Sequence, residues 1–114
     1  MQMSYYLFLD DERIPAIAAN HVYPVELRFL YRKEKWVLAR DYRQFIDQIL
    51  WHGLPTCISF DYDLGPEGTK TGYDCAVWLV DYCNKHSLEL PQTLCHSLNP
   101  EGKEMILELF RYIR

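Results

Sequence analysis

Ser4-Tyr5-Tyr6-Leu7-Phe8-Leu9, followed at once by Asp10-Asp11, is the stretch from which the fold can be read. Its apolar character is continuous, without the alternation of a half-exposed strand, and it stops sharply at two carboxylates. That is the pattern of a strand buried on both faces, as in a parallel sheet. The pattern recurs downstream. Thr56-Cys57-Ile58-Ser59-Phe60 stops at Asp61, and Gln92 to Cys95, opened by Pro91, stops at His96-Ser97. Lys35-Trp36-Val37-Leu38-Ala39 reads as a further strand.

Between these runs the apolar residues take up a helical period. Tyr42, Phe45, Ile46, Ile49 and Leu50 fall on one helical face, with Asp41 placed to cap its start and Gly53 its end. A helix over about 72–86 carries Tyr73, Ala76, Val77 and Val80 on one face. A last helix begins at Asn99-Pro100 and repeats Ile106, Leu109, Phe110 and Ile113. Residues 12–33 are interrupted by Pro15 and Pro24 and show no clean period. They predict a long, partly irregular connection with a helical turn at Ala16 to Ala19 and a short edge element. Strands alternating with helices predict an α/β domain, a single doubly wound parallel sheet in three layers with strand order 2-1-3-4.

The chain has 114 residues, 49% hydrophobic and 15% aromatic, with 12 Lys and Arg against 16 Asp and Glu for a formal charge of −4. One domain over residues 1–114 is expected, with a true core and no linker or repeat. No apolar run approaches the ~20 residues of a bilayer span, and no export signal is read at the N-terminus. A mildly acidic chain argues against non-specific binding of duplex DNA. Cys57 and Cys95 lie in strand-like runs, Cys75 and Cys83 in a helical one, and none forms a C-x-x-C pair. They read as buried thiols of a reducing compartment, hence a cytoplasmic protein.

In a parallel sheet the strand ends share one edge, where ligands of such folds bind. Asp10, Asp11, Glu12 and Arg13, then Asp61 and Asp63, then His96, Ser97 and Asn99 are thereby predicted to converge. Carboxylates so close together call for a cation. A divalent ion is expected, most naturally Mg²⁺ with Mn²⁺ as an alternative, held by Asp10, Asp11 and Asp61. His96 titrates near neutrality and is a candidate general acid or base. Ser97 has two readings, a donor to a phosphate oxygen or a cap of the last helix. Asn99 is the stronger cap and lies beside an anion-binding helix start. Arg13 either grips a phosphate or neutralises Asp10 or Glu12. The loop Gly65 to Gly72 lacks the G-x-x-x-x-G-K-[ST] order of a phosphate-binding P-loop. Lys70 reads as a solvated loop lysine, and His21, His52 and His86 lie outside the cluster.

Leu7-Phe8-Leu9-Asp10-Asp11-Glu12-Arg13-Ile14-Pro15 resembles the start of the cyclic-phosphate processing receiver-like domains. Ile58 to Gly65, Thr71-Gly72-Tyr73-Asp74 and His96-Ser97-Leu98-Asn99-Pro100 extend the resemblance in order along the chain, and Trp36 falls where that family has an aromatic residue. The resemblance implies a shortened receiver fold and a pocket of Asp10, Asp11, Asp61, Asp63, His96 and Ser97. It also implies a cyclic nucleotide or a 2′,3′-cyclic RNA end as the molecule processed. Tyr62 stands where the family pattern often has His. Against phosphorelay receivers, Asp61 resembles the phosphoacceptor and Ser97 the switch hydroxyl, but a fifth strand with its lysine is not found, so no phosphorelay switch is expected.

The leading expectation is therefore a metal-assisted phosphodiesterase. Asp10, Asp11 and Asp61 would hold the ion, with His96, Asp61 and Ser97 catalytic, and Arg13, Ser97, Asn99 and Asp63 binding substrate. The alternative is a non-catalytic receiver-like module that binds a cyclic or phosphorylated ligand or docks a partner, using the basic and aromatic content around Arg28 to Arg43. A third reading takes Asp61-Tyr62-Asp63 as a haloacid-dehalogenase-type pair with Asp61 as nucleophile; it ranks last because no acidic strand end follows. Setting aside Asp10, Asp11, Glu12, Asp61 and Asp63 leaves 12 bases against 11 acids, so the acidity is local to the predicted pocket.

Overall fold

A computed structural model describes residues 4–113. Four parallel strands, β1 (Tyr6–Leu9), β2 (Trp36–Ala39), β3 (Cys57–Phe60) and β4 (Gln92–Cys95), form one sheet in the order β2-β1-β3-β4. This is the α/β architecture and strand order that the alternation of strands and helices predicts. No helix among the described residues is long and apolar enough to cross a membrane.

Helices cover both faces. On one face α3 (Tyr42–His52), α4 (Gly72–His86) and α5 (Pro100–Ile113) enclose the larger core. Leu7 and Leu9 of β1 and Ile58 and Phe60 of β3 point into it, against Phe45, Ile49, Leu79, Ile106 and Phe110. Because strand side chains alternate, Phe8 points to the opposite face. It packs there with Ala18, Ala19, Val22 and Tyr31. These come from α1 (Pro15–Ala18), two 3₁₀ turns and α2 (Arg28–Lys33). Residues 12–33 are thus helical where they are regular, and they hold no edge strand. Each piece is too short to display a period, and Pro24 separates them.

The helix boundaries follow their capping residues. Asp41 accepts a hydrogen bond from Gln44 N–H at 2.8 Å to start α3, and Gly53, at φ 85°, ends it. Thr71 and Asp74 form a reciprocal capping box at the start of α4. The buried stripe of α4 is Cys75, Ala76, Leu79, Val80 and Cys83, rotated from the Tyr73–Val77 face expected. All four cysteines are free, with Cys57, Cys75 and Cys83 buried and Cys95 half-buried.

Two glycines fix how closely α4 and α5 approach the end of β3. A Cβ on Gly72 would lie 1.7 Å from the Asp61 carbonyl oxygen, and one on Gly102 2.2 Å from the Tyr62 ring. Gly102→Ala should therefore lower stability by about 1–3 kcal/mol, the usual cost of overpacking. Gly72→Ala should cost more, because the obstacle is backbone and cannot swing aside. Urea unfolding midpoints of the two variants test that ranking; equal, near-zero losses would contradict the packing described.

Candidate active site

The sheet register carries one residue beyond the strands. Leu9 pairs with Phe60, and Phe60 with Cys95. The next rank continues the ladder, with Asp61 N–H donating to Leu9 C=O at 2.9 Å and His96 N–H to Phe60 C=O at 3.0 Å. Strand alternation places Asp10, Asp61 and His96 on the side of Phe8, Ser59 and Leu94. Three strands that are remote in the chain thus bring the acids and the histidine together. One carboxylate oxygen of Asp10, one of Asp61 and one ring nitrogen of His96 lie within 4.8 Å of one another.

Asp10 is buried and fully engaged. Its Oδ1 accepts the backbone N–H of Glu12 at 2.9 Å and of Arg13 at 2.8 Å. Its Oδ2 accepts Arg13 Nε at 2.9 Å and meets His96 Nε2 at 3.0 Å. Burial alone would raise its pKa. The hydrogen bonds from His96, Arg13 and Glu12 and the Arg13 charge outweigh burial and hold the carboxyl well below the usual range. The segment that supplies these donors is itself anchored by Arg40, which donates to the carbonyls of Asp10 at 3.0 Å and Arg13 at 2.6 Å.

Behind Asp10 runs a buried chain of hydrogen bonds. Tyr31 Oη lies 2.6 Å from Ser59 Oγ, and Ser59 Oγ lies 2.7 Å from His96 Nδ1. An ionised Asp10 can only accept, so His96 carries its proton on Nε2 and accepts at Nδ1 from the Ser59 hydroxyl. Ser59 then accepts from Tyr31, and every group in the chain is satisfied. Burial pushes the His96 pKa down against the opposing pull of Asp10, and the ring stacks on Phe8 at 4.3 Å. His96 is accordingly a neutral ring beneath the crevice and not part of its wall. A general acid–base role in direct contact with substrate does not match this placement, because both ring nitrogens are committed inward.

Asp61 is set differently. It lines the crevice, and its Oδ1 accepts Tyr62 N–H at 2.9 Å. Burial, then the Asp10 charge, pushes its pKa up to about 6, against the lowering effects of Arg13, the Tyr62 N–H and a Ser97 hydrogen bond. The crevice measures about 530 Å³, large enough for a small ligand. Arg13, Asp11, Asp63, Ser97 and Asn99 also line it. Asp11 is half-buried, its pKa raised by burial and by Glu12 and Asp10, and it stands outside the close trio. Asn99 caps α5 by accepting Gly102 N–H at 3.0 Å, and its Nδ2 donates to the exposed Asp63 at 3.1 Å. Ser97 Oγ accepts Asn99 N–H at 3.1 Å. Tyr62 turns its ring onto Gly102 of α5.

Of the ligands expected for Mg²⁺, Asp10 and Asp61 come together but Asp11 stands outside the cluster, and His96 takes its place. Asp10, Asp61 and His96 are close enough together, but Asp10 has no free lone pair and both His96 nitrogens are occupied. The Arg13 guanidinium stands between the carboxylates, with Nε 2.9 Å from Asp10 and Nη2 3.7 Å from Asp61. Sequence reasoning did not identify Tyr31, Ser59 or Arg40 as parts of this site. Arg40 carried a readable signal, a base just beyond a strand end on the same sheet edge. Ser59 carried a weaker one, a polar residue two positions before Asp61 and so on the same strand face.

A four-stranded parallel sheet in this order, with acids at the ends of its two central strands, defines a receiver-type domain. The family model of the cyclic-phosphate processing receiver domain matches residues 5–112, and the chain belongs to that family. No curated protein and no solved structure matches it.

The pKa of Asp61 has a thermodynamic consequence. Its folded value, about 6, lies above the ordinary 3.8 of a free aspartate, so the folded state holds this proton more tightly than the unfolded state. The Asp61 contribution is therefore least favourable above pH 6 and improves as pH falls from 6 toward 4. Asp61→Asn, which cannot ionise, should be more stable than the native protein at pH 7 by on the order of 1–2 kcal/mol. That advantage should shrink toward zero near pH 4. Urea unfolding of both proteins between pH 4 and 8 measures it, and a pH-independent difference would contradict the assignment.

Proposed function

We propose that this domain hydrolyses a cyclic phosphate, either a cyclic nucleotide or a 2′,3′-cyclic RNA end, in the crevice between Arg13 and Asp61. The observation that carries this reading is the pairing of a carboxyl that titrates near neutrality with a guanidinium, at the start of α5. A phosphodiester ring needs an anion-binding group for its non-bridging oxygens and a group that moves a proton. Arg13 and the Asn99-capped start of α5 supply the first. Asp61 supplies the second: ionised, it takes a proton from the attacking water and then returns it to the departing ribose oxygen as the ester P–O bond breaks. Ser97 aids by holding Asp61. His96 serves from beneath, by orienting Asp10 and through it Arg13. Family membership supports the substrate class.

The test is a panel of cyclic mononucleotides and cyclic-ended oligoribonucleotides, incubated in EDTA, with Mg²⁺ and with Mn²⁺, and scored by chromatography for the opened monoester. The native protein should open at least one member. Its kcat/KM should rise with pH through about 6, where Asp61 ionises. Asp61→Asn should lose about 10²-fold or more of kcat. Saturable binding of a panel member without any product would replace hydrolysis by the non-catalytic ligand-binding reading. Neither binding nor product would remove both.

A further inference from the structure

We propose that Arg13 is the resident cation of this site, standing where a divalent ion would otherwise sit among the carboxylates, so that the native domain does not bind such an ion there. The inference rests on how the donors are already used and stands apart from the choice of substrate.

Asp10 offers about four acceptor positions, and four donors fill them at 2.8–3.0 Å. Mg²⁺ or Mn²⁺ binding at Asp10 would have to displace at least one. The backbone donors belong to the turn that Arg40 clamps, and His96 is held from behind by Ser59 at 2.7 Å. Only the Arg13 side chain is free to leave. It is also the group whose charge opposes a metal, because its guanidinium bridges toward Asp61 at 3.7 Å and the His96 carbonyl at 3.5 Å. A divalent ion seated between Asp10 and Asp61 would therefore share its place with a positive group.

The rest of the guanidinium agrees with a built cation site. Its side chain is 20% exposed, and its Nη1 is buried without a hydrogen-bond partner. A solvated surface arginine would keep that nitrogen in water. Here two nitrogens tie the carboxylates together, and the third is closed off from solvent within the site. The acids converge at the ends of separate strands, and the compensating charge is carried by the chain three residues after Asp10.

Mn²⁺ alone is the probe, followed by the loss of its free-ion electron paramagnetic resonance signal. The native protein should leave that signal unchanged at millimolar Mn²⁺. Arg13→Ala, confirmed folded by its melting curve, should take up one ion, a gain in affinity of about tenfold or more. Adding Asp61→Asn to that variant should abolish the uptake. If Arg13→Ala does not fold, Arg13→Gln keeps the three-carbon stem and a donor without the charge, and carries the same expectation. Arg13→Lys, which retains a cation, should bind no more than the native protein. Stoichiometric Mn²⁺ binding by the native protein, lost in Asp10→Asn, would overturn the proposal, as would a folded Arg13→Ala or Arg13→Gln that binds none.

Discussion

The carboxylate of Asp10 is the constraint on which the rest of the site depends. A buried ionised carboxylate is costly unless every acceptor position is used. Meeting that requirement recruits one group from nearly every part of the sheet edge. Two backbone N–H groups fold the chain into a turn directly after β1. Arg13 must then lie back over the acid that its own backbone caps. His96 must present Nε2, which forces Nδ1 to find a donor, and Ser59 with Tyr31 behind it is that donor. The electrostatic need of one side chain thus reaches from the crevice into the small core beneath α1 and α2.

That dependence explains why two carboxylates a few ångströms apart behave oppositely. Asp10 is held ionised by its donors, while Asp61 has fewer and faces an ionised neighbour. Asp61 cannot gain from Arg13 as Asp10 does, since the guanidinium is 2.9 Å from one and 3.7 Å from the other. Dividing roles between a fixed anion and a titratable acid is a recurrent solution where proton transfer and charge binding share a site. Here the division follows from which strand end receives the turn amides.

Much of this was legible in the chain. Apolar runs stopping at Asp10, Asp61 and His96 reveal a buried parallel sheet and bring those residues to one edge. The caps Asp41 and Asn99 announce their helices by residue type. What could not be read was depth. His96 follows an apolar strand directly, and sequence position alone does not separate a residue lining the crevice from one beneath it. The answer lies in Tyr31 and Phe8, which cover the ring. Tyr31 comes from residues 12–33, where helices of four and six residues and two 3₁₀ turns are too short for periodicity to reveal. The rotation of the α4 stripe has a similar origin: Gly72 and Cys75, small enough to lie against the sheet, are buried where the larger Tyr73 and Val77 were expected.

Tyr62 serves the site through its backbone while its ring turns elsewhere. Its N–H caps Asp61 and its C=O accepts Gly72 N–H at 2.8 Å. The ring leaves the acids and fills the space over Gly102, joining the end of β3 to α5. That packing helps fix α5, whose capped start forms one crevice wall. The proton-handling group that remains in the wall is Asp61, held in place by the residue that follows it. The net charge of −4 reflects this arrangement, because the acids gather at the crevice: Arg13 pairs with Asp10, and burial with the Asp10 charge raises the Asp61 pKa to about 6.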